Sequence, residues 1–169
     1  MNLIFRRNFA KLHDAALDAL GATLPGRTLQ VAGERDGFTA RLAPRVAAGG
    51  RLDVVDAAAG ALLPDETYDR AVLFFRLHGI PPEARQRALR EAVRVVRPGG
   101  RIVIVDYHRP DAGHPLRAVL KWILRRLEPS ALDLWDHEIA HWLPRAILDR
   151  DIRKETLRGG LYQKLVITT

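Results

Sequence analysis

The sequence predicts an α/β protein: a three-layer sandwich around a mostly parallel sheet with an antiparallel last strand. Three observations carry this. Short strand-like runs recur at residues 28–32, 52–55, 71–75 and 102–105, the last two continuously apolar. Such runs fit strands covered on both faces. Segments with apolar residues at i, i+3/i+4, the helical period, lie between them. Near the end, Gly159-Gly160 separates strand-like segments 152–157 and 162–167, which predicts an antiparallel hairpin.

Residues 8–20 open as an amphipathic helix. Phe9, Leu12, Ala16, Leu17 and Leu20 share a face, and Gly21 stops it. Pro25-Gly26 turns the chain into the first buried strand, TLQVA at 28–32. A loop, 33–37, and a helix, 38–46, follow. Gly49-Gly50 then leads into the second strand, which ends at Asp56. In open parallel sheets the loop after strand one faces the ligand, and an acidic residue about 20 positions on can take ribose hydroxyls. Gly33, Gly37 and Asp56 are therefore the cofactor candidates. An ordinary strand-to-helix loop accounts for the two glycines as well, and strand-end aspartates are common. Glu34 and Asp36 would repel a phosphate-bearing ligand.

Residues 57–67, AAAGALLPDET, are a short link. If the strands on either side both flank strand one, the link must cross about 10 Å sideways and return along a strand of about 17–20 Å. A link of this length reaches at most about 36–40 Å. It suffices, but it leaves no room for another strand.

Residues 68–110 read strand, loop, helix, tight turn, strand. Pro81-Pro82 opens the helix and Glu83 suits its positive end. Ala84, Ala88, Leu89, Ala92, Val93 and Val96 form the apolar side, with Arg85, Arg87, Arg90 and Arg94 on the other. Pro98-Gly99-Gly100 is expected to stop the helix and turn the chain. The unit is a right-handed βαβ crossover. Its carboxyl ends carry residues 76–79 and 106–109, where ligands bind in such sheets. His78, Tyr107 and His108 are the catalytic candidates. His108 has the titratable chemistry of an acid/base, and Tyr107 could orient or stack on a ring. Anchoring of loops through backbone hydrogen bonds would use the same groups.

Residues 116–127 predict a basic amphipathic helix. Leu116, Val119, Leu120, Ile123 and Leu127 are apolar, Arg117, Lys121 and Arg125 recur at i, i+4, and Trp122 sits beside them. This suits a helix lying in a membrane interface, or one packed on the domain with snorkelling cations. Glu128-Pro129 breaks it, and Ser130 can cap a further helix running to about residue 143. On that helix His137-Glu138-Ile139-Ala140-His141 matches H-E-x-x-H. Asp133, His137 and His141 would share one face, as a divalent metal site requires. A structural role for the three is the alternative.

The unit at 68–110 resembles the fourth and fifth strands of class I AdoMet-dependent methyltransferases, in which "LH" and "V-x-P-G-G" recur. DYHRP, HPLR, LEPSALDLWDHEIAHWLP and GGLYQKLVI further resemble the rhodoquinone-biosynthesis methyltransferase-like family. The resemblance implies a single Rossmann-like methyltransferase domain over residues 1–169, with a helical insertion at about 114–143. It implies a strand order 2-1-4-5-7-6 in the superfamily's numbering, without strand three. It also implies AdoMet as cofactor, a divalent metal such as Mn²⁺, and a ubiquinone-like lipid as substrate, its ring methoxy replaced by an amino group. In the resembled family more chain precedes residue 1, and the first loop is normally G-x-G-x-G. A non-catalytic relative that keeps the fold without the cofactor, and an HExxH zinc hydrolase, are the competing readings.

Composition sets bounds. The 169-residue length suits one domain with a real core. The absence of cysteine excludes disulfides and thiolate chemistry. No apolar run approaches the ~20 residues of a spanning helix, and residues 1–7 are too short for a signal peptide. The expected location is the cytoplasm, peripherally on the inner membrane face. A formal charge of +7, mostly arginine, suits nucleic acid or anionic lipid, and a solvated arginine surface equally. The expected partner is a membrane with a lipid quinone, not nucleic acid.

Overall fold

The computed structural model describes residues 3–32, 37–56 and 63–169, with side chains from residue 9 onward. The elements in order are α1 (Leu3–Leu20), β1 (Arg27–Ala32), α2 (Thr39–Leu42), β2 (Arg51–Asp56), β3 (Tyr68–Phe74), α3 (Pro82–Val95), β4 (Val96–Tyr107), α4 (Arg117–Leu127), α5 (Asp133–Asp136), β5 (Ile152–Leu157) and β6 (Tyr162–Thr168). Six strands form one sheet in the order β2-β1-β3-β4-β6-β5. β2, β1, β3 and β4 run parallel, and β6 is antiparallel to β4 and β5. This is the expected order, and the described part of the link, residues 63–67, contains no strand.

Period-two alternation along the central strands builds two cores. Leu29, Val31, Ala71, Leu73, Ile102 and Ile104 face α3. Val72, Phe74, Val103 and Val105 face α1, through Leu12, Ala16 and Leu17, and the short α2. A smaller cluster of Leu124, Ala131 and Trp135 seats α4 beside Tyr107.

Three expectations are corrected. Residues 38–46 form only one turn of α-helix followed by a 3-10 turn, Ala43–Arg45, because Pro44 cannot donate to a continuing α ladder. Pro98-Gly99-Gly100 does not form a separate turn. α3 passes directly into β4, and the triplet is an irregularity within that strand, where pairing with β3 shifts register. Gly99 takes φ +75°, and a Cβ at Gly100 would lie 2.8 Å from the Arg97 carbonyl oxygen, so both positions need glycine. Finally, the helix expected over 130–143 is broken into a 3-10 turn (Pro129–Leu132), α5 and a second 3-10 turn (Ile139–Trp142).

Candidate active site at the carboxyl edge of the sheet

β3 ends at Phe74, and Phe75 adopts a left-handed conformation at φ +49°. Its N–H donates to the Val105 carbonyl at 2.8 Å, so the chain turns while still tied to β4. Non-glycine residues seldom hold this conformation, and it concentrates at functional sites. The turn brings 75–80 over the end of β4. There Asp106, fully buried, accepts hydrogen bonds from Leu77 N (2.7 Å), His78 N (3.3 Å), His78 Nδ1 (2.9 Å) and Tyr107 N (2.8 Å). An ionised carboxylate only accepts, so His78 carries its proton on Nδ1. His78 Nε2 lies 3.5 Å from Glu128. Burial works to lower the His78 pKa, but the charge and hydrogen bond of Asp106, aided by Glu128, outweigh it and raise the net value.

An aromatic cluster covers this carboxylate. Tyr107 stands edge-on to His78, with centroids 4.9 Å apart, and Phe75 meets Tyr107 at 5.4 Å and Tyr162 at 5.5 Å. Burial, then the nearby charge of Glu128, raises the Tyr107 phenol well above its usual pKa, so it stays a protonated donor. His78 and Tyr107 are thus brought together. His108 is not part of that contact. Its Nδ1 donates to the Gly160 carbonyl at 2.9 Å, and its Nε2 accepts from Lys154 Nζ at 3.1 Å, which also pairs with Glu138. Both ring nitrogens serve the β5–β6 hairpin. Of the two readings open for His108, these contacts match anchoring.

Arg85 was missed by the sequence reading, which put it on the solvent side of its helix. It is fully buried. Nε donates to Leu77 O at 3.0 Å, and Nη2 to Ile80 O at 3.2 Å and Ser130 O at 3.0 Å. The guanidinium lies 4.4 Å over the Trp142 ring and 3.7 Å from Asp133. The signal was present: Arg85 stands i, i+3/i+4 from Ala88 and Leu89 and so shares their buried face.

The expected metal face is not formed. His137 is extended (φ −133°, ψ 138°), which ends the helical register. Asp133 faces Arg85. The His137 and His141 rings approach to 4.9 Å, yet among the described residues no group of three or more His, Asp or Glu side chains is placed to hold a metal ion. Asp133, His137 and His141 are corrected accordingly, and with them the HExxH hydrolase, which needs both histidines on one helix.

Gly33 lies outside the described residues. Gly37 is exposed, and a Cβ there would meet nothing within 4 Å, so packing does not demand its glycine. Asp56 ends β2 in register with Ala32, the last residue of β1. Arg76 Nη2 donates to Asp56 Oδ1 at 2.8 Å, which links the ends of β2 and β3 across the end of β1.

Residues 12–104 match the methyltransferase domain family. The chain belongs to that family. The domain is 32% identical over 133 residues to the demethylmenaquinone methyltransferase of Thermobifida fusca, covering 73% of this chain and 52% of that protein. It is 39% identical over 75 residues to that of Streptomyces griseus, covering 43% and 31%. The chain thus spans about a third to a half of the length of these relatives. The N-methyltransferase NodS from Bradyrhizobium japonicum shares the fold, with a TM-score of 0.62 at 12% identity over 96% of this chain and 97% of that one. The family implies S-adenosylmethionine. The chemistry at the carboxyl edge fits its ribose end: Asp56, at the end of β2, is a carboxylate that would accept from the two ribose hydroxyls. No helix among the described residues is long and apolar enough to cross a membrane.

Proposed function

We propose that this domain is an AdoMet-dependent transferase acting on a ubiquinone-like lipid quinone at an anionic membrane surface. The observation that carries the reading is a juxtaposition. The Phe75–His78–Tyr107 aromatic cluster sits at the ligand-binding edge, and Tyr107 packs against the small core that seats α4. Leu116, just before α4, and Val119, Trp122 and Leu127 on it are each half or more accessible, among Lys121, Arg125 and Arg126. A helix with that composition lies in a bilayer interface, which would deliver a membrane-dissolved ring to the aromatic cluster. The demethylmenaquinone methyltransferases among the relatives act, by their name, on a quinone.

When bound, AdoMet would supply the transferred group. Asp56 would hold its ribose. Tyr107, kept protonated, donates a hydrogen bond to a quinone oxygen. His78, oriented through Nδ1 by Asp106, presents Nε2 toward Glu128 for proton movement. The resemblance to the rhodoquinone-biosynthesis family specifies the finer reaction as replacement of a ring methoxy, which leaves as methanol, by an amino group whose nitrogen AdoMet would supply. The direct test is mass spectrometry of ubiquinone incubated in liposomes with AdoMet and this protein. A changed ring mass that vanishes with Tyr107→Phe supports the reading, and unchanged quinone in the presence of bound AdoMet sinks it.

A second reading is a non-catalytic relative, favoured by the Arg76–Asp56 ion pair, which already engages the carboxylate expected to take the ribose. A ligand that binds the native state must stabilise it. No rise in melting temperature with millimolar AdoMet would select this reading.

Two outcomes follow for these residues. Changing Arg117, Lys121 and Arg125 together to Glu should abolish most co-sedimentation with anionic liposomes. Wild-type binding should weaken with salt. Unchanged sedimentation would leave α4 as ordinary packing. For His78, a raised native pKa means its stabilising contribution is full below the unfolded value, about 6.5. That contribution is lost as pH rises through the native value. The melting-temperature difference between wild type and His78→Gln should therefore be larger at about pH 6 than at pH 9. A difference independent of pH would refute the charged pairing.

A further inference from the structure

A basic cleft opens at the opposite, amino-terminal edge of the sheet. It encloses about 170 Å³ and is lined by Leu20, Asp69, Arg70, Arg97, Arg101 and the Gly99–Gly100 backbone. Arg70 and Arg101 are register partners on adjacent parallel strands. They extend, by alternation, the rows Val72–Phe74 and Val103–Val105 that face α1, so their side chains leave the same face of the sheet.

Like charges in directly neighbouring strand positions are destabilising. Surface arginines escape this cost by swinging apart, but these two are tethered. Arg70 Nη1 donates to the Pro25 carbonyl at 2.6 Å, and Arg101 Nη1 to the Ala19 carbonyl, near the end of α1, at 2.8 Å. Arg97 adds a third cation, joined to Asp69 at 2.6 Å. Asp69 is the single acid among the described residues lining the cleft, and its other oxygen accepts from the Arg27 N–H. Burial lowers the Arg70 pKa; Asp69 opposes this, while Arg101 and Arg97 lower it further.

Three guanidiniums against one carboxylate leave an excess of two positive charges in a concave site with fixed walls. We propose that this cleft binds a phosphate-type oxyanion through Arg70 and Arg101, with Arg97 at its rim. Arginine forks match phosphate bidentately. An anion between the two tethered guanidiniums turns their repulsion into shared attraction. The site stands apart from the carboxyl-edge cluster and does not depend on the transferase reading. A free phosphate compound and a lipid headgroup both carry such an oxyanion.

The probe is inorganic phosphate at constant ionic strength against chloride, read by melting temperature and by calorimetry. The expected result is a phosphate-dependent rise for wild type and for Arg87→Gln, an exposed control on the other face of the sheet. Arg70→Gln and Arg101→Gln should weaken phosphate binding about ten- to a hundredfold, the loss of one charge-assisted contact. Without phosphate, relief of the like-charge pair should leave both variants melting no lower than wild type, whereas a purely structural role predicts a clear fall. No phosphate effect on wild type, or an effect equal in wild type and both variants, overturns the proposal. Phosphatidylglycerol vesicles, offered to protein with the α4 cations already changed to Glu, separate the sources. Residual sedimentation lost on Arg101→Gln assigns the anion to a headgroup, and phosphate binding without sedimentation assigns it to a soluble compound.

Discussion

Asp56→Ala should weaken AdoMet binding about ten- to a hundredfold, measured by titration calorimetry. The carboxylate at the end of β2 is the acidic group that combines strand-end position with the usual spacing from the first loop. Hydrogen bonds to a charged acceptor contribute roughly 1.5–3 kcal/mol, and each 1.4 kcal/mol is about tenfold in affinity. The ion pair with Arg76 adds a second expectation. Ribose must take Asp56 from Arg76, whose side chain is 17% exposed against 41% for Asp56. A partly exposed pair of this kind contributes about 0–1 kcal/mol. Arg76→Ala should therefore tighten AdoMet by up to about fivefold in the Asp56 background. It should change nothing once Asp56 is alanine. That non-additivity distinguishes competition for one carboxylate from two independent effects. Equal affinities of wild type and Asp56→Ala would place the cofactor elsewhere.

The fold was legible because its evidence is local. Central strands covered on both faces read as unbroken apolar runs, and the Gly159-Gly160 hairpin located the last two strands although β5 is largely exposed. The strand order came from the family resemblance, and the short link has the reach that this order needs. What was not legible depends on contacts far apart in sequence. Asp106 is one acid among many in the chain, and its role exists only because a loop 29 residues earlier folds its N–H groups onto it. His108 looked like an acid/base because it ends a strand beside Tyr107, but a carbonyl 52 residues away and Lys154 take both nitrogens. The H-E-x-x-H spacing promised a helical face that the local backbone does not keep. Arg85 is the instructive case, since its type argued for solvent while its helical position argued for the core. Position decided, because backbone carbonyls and a ring were available to it.

That burial makes Arg85→Ala the most damaging single change expected in the domain. Its guanidinium ties the start of α3 to the 77–80 loop and to Ser130, through three carbonyls, and caps Trp142. Truncation leaves carbonyls without donors and a cavity beneath an indole. Unsatisfied buried groups cost about 1–3 kcal/mol each, and large-to-small core truncations about 3–5 kcal/mol. Because these overlap, a total of about 3–5 kcal/mol is expected. At about 2–4 °C per kcal/mol for a chain of this size, the melting temperature should fall by roughly 10 °C. Arg85→Lys should recover only part of this, because one ammonium cannot reach three carbonyls and lie flat on Trp142. Arg87→Ala, two positions on and exposed, should fall within about 0.5 kcal/mol of wild type. Thermal denaturation of the three variants is the check. If Arg85→Ala melts with Arg87→Ala, the clamp contributes nothing to stability.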